Sequence, residues 1–101
     1  MKYKLYRAGN SIEKAIRKHE LISIEYGKDI VEVEDALVKA VTDDLAGDPE
    51  YDNCEASAYA PEYVNCYRGK SRYQYEMTGI VYPPGNSKNI LVMYGIMEES
   101  E

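Results

Sequence analysis

Histidine is the side chain best suited to move protons near neutral pH, and this chain has one, His19. It follows Ile12, Ala15 and Ile16 at helical spacing, so a core-edge imidazole is the expected role rather than a general base. The two thiols, Cys54 and Cys66, stand among acids, a setting that disfavours a thiolate nucleophile. They show neither C-x-x-C nor Cys/His ligand spacing. Both are expected to be reduced, with a 54–66 bridge as the alternative. No phosphate-cradling glycine loop, dinucleotide fingerprint, G-x-S-x-G elbow or H-E-x-x-H pair occurs. Asp43, Asp44, Asp48, Glu50 and Asp52 could hold a divalent cation by charge, but they lack the ligand order and closing Glu of an EF-hand loop. The expectation is a non-enzymatic protein with no catalytic residues, no metal and no cofactor.

What the chain does offer is a concentrated field. Ten acids between Glu32 and Glu62 face a single base, Lys39, a local charge of −9 in a molecule of net charge −6. Six bases in residues 1–19 and Arg68, Lys70 and Arg72 later in the chain flank this stretch. The net acidity argues against direct nucleic-acid binding and against a polybasic membrane patch. A surface of this sign selects a basic partner, because carboxylates accept paired hydrogen bonds from Arg. The candidate partner-binding residues are Glu32, Asp35, Asp43, Asp44, Asp48, Glu50 and Asp52. Tyr51, Tyr59, Tyr63 and Tyr67 would be the apolar anchors. Eleven Tyr with no Phe or Trp is more than a small core needs, so several rings are expected at the surface. The competing reading of the acidic row is a solvated helix face.

These residues need elements to hold them. Lys2–Arg7 alternates as a strand with Tyr3 and Leu5 on one side, and Gly9-Asn10 ends it. Asn10 and Glu13 have capping-box spacing and predict a first helix running toward His19. Leu21–Tyr26 favours a strand, the alternative being a helix continued to a Gly27 stop. Asp29 and Glu32 cap a second helix that stops at Gly47, with Ile30, Val33, Leu37, Ala40, Val41 and Leu45 on its inner face. Glu32, Asp35, Lys39 and Asp43 then point outward. Glu34 and Asp44 lie at the core boundary, where a carboxylate wants a partner from the basic N-terminal segment. Tyr59, Tyr63 and Tyr67 at i, i+4 and i+8 predict a short third helix over residues 57–67. Residues 72–97 read as a hairpin with a bulge at Gly79 and a turn at Pro83–Asn89. Its return strand, apolar on both faces, belongs in the middle of the sheet.

The fold expected from this is one α+β domain over residues 1–101. An antiparallel sheet of about four strands packs with two to three helices in the order β-α-β-α-α-β-β. No apolar run approaches a membrane span, and a cytoplasmic location in a bacterial host is the default.

A short acidic Tyr-rich chain with carboxylates on a helix and loop (Glu32, Asp35, Asp43, Asp44, Asp48, Glu50, Asp52) resembles the small inhibitors of phages and mobile elements. It is most similar in style to anti-CRISPR proteins. The resemblance is one of type and carries no individual residue across. It implies a non-enzymatic inhibitor that blocks guide-RNA or DNA binding by an RNA-guided nuclease. A homodimeric accessory or antitoxin-like protein is the second reading. The third is a small RNA-binding protein or nuclease using His19 with Arg17 and Lys18.

Overall fold

Ile90–Glu99 is the most apolar of the described strands and lies at the centre of the sheet, with Val92, Tyr94 and Ile96 buried on one face and Leu91 and Met93 exposed on the other. The computed structural model describes residues 1–10, 19–64, 73–85 and 88–100. Within them, the strands are β1 (Lys2–Asn10), β2 (Glu20–Tyr26), β3 (Glu55–Ala58), β4 (Glu62–Tyr63), β5 (Tyr75–Tyr82) and β6 (Ile90–Glu99). Every pairing is antiparallel, in the order β2-β1-β6-β5-β3, with β4 also on the outer edge of β5. One α-helix, α1 (Ile30–Ala46), and a 3₁₀ turn, Pro49–Tyr51, complete the described elements.

α1 has the predicted limits because its ends are chemically marked. The Asp29 side chain accepts from the Glu32 amide at 3.0 Å, and the Gly47 amide donates to the Asp43 carbonyl at 3.0 Å. Val33, Leu37, Val41 and Leu45, four residues apart, bury one stripe of the helix. They pack on Tyr3, Leu5, Met77, Val81, Val92, Tyr94 and Ile96 from the sheet. Gly79 is not at a bulge, since the β5–β6 register runs unbroken through it. Its role is clearance: a Cβ there would lie 2.7 Å from Leu45 Cδ1 and 3.0 Å from Val41 Cγ1.

Three expectations change. β1 continues past Gly9 to Asn10, because a register shift between Arg7 and Gly9, with Gly9 at φ 149°, absorbs the irregularity. Over its described residues, 57–64, the predicted helix of 57–67 is replaced by β3 and β4. Glu55–Ala58 pairs with Tyr82–Gly79 and Glu62-Tyr63 pairs with Glu76-Tyr75, so this segment satisfies the outer backbone groups of β5. That demand outweighs the spacing of the tyrosines. The domain therefore has more strands and fewer helices than expected, six and one among the described residues. The strand reading of residues 21–26 holds. The predicted first helix falls mostly on residues 11–18, and Tyr67 and Cys66 on 65–72, both outside the described residues.

Candidate functional site

Arg7 sits opposite Tyr94 in the β1–β6 register and reaches the end of α1. Its Nη1 donates to Asp48 Oδ2 at 2.8 Å and lies 3.5 Å from Asp44 Oδ2. The guanidinium carbon is 5.8 Å from the Tyr51 ring centre, within cation–π range. Tyr94, 1% exposed, donates its hydroxyl to the same Asp44 oxygen at 2.5 Å. The Asp48 carboxylate is used twice, its other oxygen accepting from the Glu50 amide at 2.9 Å to cap the 3₁₀ turn. Burial alone would lower the Arg7 pKa, but the Asp48 hydrogen bond and the neighbouring charges push it up instead. Burial, followed by the Asp44 carboxylate, pushes the Tyr94 hydroxyl far above the ordinary phenol range.

This cluster divides the predicted binding set. Asp44 and Asp48 are half-buried and committed to Arg7, and Tyr51 is 4% exposed, so none of these three is presented to solvent as an anchor. The partner foreseen for Asp44 in the basic N-terminal segment is Arg7. Glu32, Asp35, Asp43, Glu50 and Asp52 are exposed. Asp43 pairs with Lys39 at 2.5 Å, an exposed i,i+4 contact that solvent and salt screen. Asp52 accepts from the Asn53 amide at 3.1 Å.

The tyrosines stand elsewhere. Tyr59 and Tyr63 are 62% and 71% exposed on the β3–β4 edge, Tyr63 edge-on to Tyr75 at 5.8 Å. The acidic helix row borders the opposite edge. Ala36, Lys39, Ala40 and Asp43 line a groove with Ile22, Ser23 and Glu25 of β2. Glu32 shares that helix stripe, at four and seven residues from Ala36 and Lys39. The helix carboxylates Glu32 and Asp43 thus lie toward β2, whereas Tyr59 and Tyr63 share the β3–β4 edge with exposed Glu55 and Glu62.

Sequence reasoning placed the partner of Asp44 in the basic N-terminal segment without singling out Arg7, and it missed Tyr94. The available signal was Asp44 on the inner flank of an otherwise well-separated helix. His19 is also placed differently from the core edge. It is exposed, stacked on Tyr6 at 3.8 Å, with Nδ1 2.8 Å from the Tyr73 hydroxyl. Among the described residues no group of three or more His, Cys, Asp or Glu is arranged to hold a metal ion, and no helix is long and apolar enough to cross a membrane. Compared with known proteins, the chain matches no family model, no curated protein and no solved structure.

Proposed function

We propose that the protein is a binding inhibitor of a basic, nucleic-acid-handling protein, acting without catalysis in the cytoplasm of a bacterial host. In its most concrete form the target is an RNA-guided nuclease, occupied where guide RNA or target DNA would bind. The observation that carries this reading is the outward set of carboxylates Glu32, Asp35, Asp43, Glu50 and Asp52 on a helix and turn fixed at both ends. A rigid acidic row loses little entropy on docking and meets a groove built for phosphates with the right sign. Withdrawal of Asp44 and Asp48 to Arg7 narrows the contact surface to the outer residues.

The test is inhibition of target-DNA cleavage by a purified RNA-guided nuclease, together with capture from a bacterial lysate across a salt series. The triple variant E32K/D35K/E50K should lose both, and wild-type association should slow as salt rises. Equal inhibition by the variant, or capture of no nucleic-acid-handling protein by the wild type, would refute the proposal.

A further inference from the structure

The two outer edges of the sheet are protected unequally. Between the pairs Ala58–Gly79 and Glu62–Glu76, the β3–β4 side has three residues where β5 has two, and Pro61 occupies the gap. An irregular, proline-bearing edge resists the addition of further strands. β2 has one irregularity, the extra residue Ile22 opposite the Leu5–Tyr6 step, and no proline, glycine or lysine. Among the described strands it pairs only with β1; the Gly27 amide bonds Met1, so in this register the backbone groups of Glu25 and Ser23 face β1, and Ile24 and Tyr26 turn their backbone donors and acceptors outward.

Beside this edge runs the groove shared with α1, about 490 Å³ in volume. Ala36 and Ala40 give it a small-residue wall on the helix side. Its charged lining is Glu25, Asp43 and Asp44 against Lys39, which is already paired with Asp43. Arg7, the base that reaches Asp44, is itself outnumbered by Asp44 and Asp48. The Ser23 hydroxyl donates to Glu25 Oε1 at 2.9 Å and orients that carboxylate. A charge turned toward the groove beside a free edge excludes neutral strands, which would desolvate it without compensation. A second copy would bring its own Glu25 and is opposed by the like charge. A strand carrying Lys or Arg gains what the others lose.

We infer that this groove receives an extended, Lys- or Arg-bearing segment of the partner protein, added as a strand on the free edge of β2 with basic side chains reaching Glu25 and Asp43. The inference rests on the reading that the partner is basic. It adds the form in which that partner engages: main-chain hydrogen bonds supply affinity, and alternate side chains supply selectivity.

The probe is an acetylated, amidated peptide of alternating Lys and Val, about ten residues long, titrated into the isotope-labelled full chain and followed by NMR. A peptide with the same lysines but Pro in place of Val controls for charge, and a Glu-Val peptide for strand formation. The expected result is slowed amide exchange at Ile24 and Tyr26, with affinity about tenfold above the Lys-Pro peptide and no binding of Glu-Val. Ser23→Lys should abolish the protection, and Glu25→Gln, which leaves the backbone untouched, should weaken binding about tenfold. Equal binding of both cationic peptides without protection at β2 would overturn strand addition while leaving the acidic-surface reading standing. Failure of both to bind overturns it as well, and nuclease inhibition then judges the broader reading alone. Protection of β2 that appears with protein concentration and no peptide would replace the partner by a second copy and equally overturn the inference.

Discussion

Tyr94 of the central strand donates its hydroxyl to Asp44 in the last turn of α1 at 2.5 Å, and Arg7 of the next strand approaches the same carboxylate oxygen at 3.5 Å. A carboxylate at the core boundary costs desolvation, and two donors from different elements offset it. The pair therefore fixes the end of the helix over the middle of the sheet and sets the direction in which the outer acids point.

Tyr94→Phe keeps the ring and removes the donor. With Arg7 still present, the expected loss is about 1.5–3 kcal/mol in urea unfolding, the range for a hydrogen bond to a charged group. In an Asp44→Ala background the same change should cost little, giving a coupling energy in a double-mutant cycle. A full-sized loss in both backgrounds would assign the effect to packing instead.

Alkaline pH tests the same contact independently. Burial first, then the hydrogen bond to Glu98, pushes the Tyr3 hydroxyl up to about 12, and Tyr94 is displaced further in the same direction. Both folded values exceed the ordinary phenol value of 10.0, so the unfolded chain releases these protons first. Their contribution to stability is complete below pH 10.0; that of Tyr3 is lost as pH rises from there through about 12, and that of Tyr94 continues to be lost above it. Tm should fall over that window, with tyrosinate absorbance rising together with unfolding. Tyr3→Phe and Tyr94→Phe should each flatten the fall, and an unchanged slope in both would contradict it.

The parts of this fold governed by local chemistry were legible. Asp29, Glu32 and Gly47 mark α1, and the doubly apolar run from Ile90 marks the central strand. The β3–β4 segment was not, because its tyrosines repeat at helical spacing while its pairing partner, β5, is remote in sequence. Side-chain period says little about a short segment whose backbone is claimed by a distant edge. For the same reason the acidic stretch could be counted but not divided. Only the approach of Arg7 from the other end of the chain separates Asp44 and Asp48 from Asp35 and Asp43. The β2 groove depends on which strand ends up outermost, a property of the whole topology.

Two glycines carry close contacts on opposite faces of the sheet. Gly79→Ala drives a methyl against Leu45 and Val41, and an overpacking cost of about 1–3 kcal/mol is expected. Gly95→Ala meets the ring of Tyr73, which lies directly over that position. The second variant should also disturb the His19 ring, because His19 Nδ1 is 2.8 Å from the Tyr73 hydroxyl. Histidine NMR shifts that move in Gly95→Ala but not in Gly79→Ala would distinguish the two faces. Identical spectra would show that Tyr73 does not depend on Gly95.

Charge reversal separates inner from outer acids. Asp35 is exposed on the outer face of α1, where Asp35→Lys should alter stability by no more than about 0.5 kcal/mol. Asp48→Lys removes the acceptor 2.8 Å from Arg7, uncaps the 3₁₀ turn and sets two bases side by side near Tyr51. Breaking a half-buried, charge-assisted hydrogen bond in this way costs about 1.5–3 kcal/mol. Thermal melts of the two variants, at low and high salt, check the contrast. Salt should recover part of the loss for Asp48→Lys, since repulsion between Arg7 and the new lysine is screened. If both variants melt together, Arg7 draws no stability from Asp48, and the division of the acidic stretch into an inner anchor and an outer face would have to be abandoned.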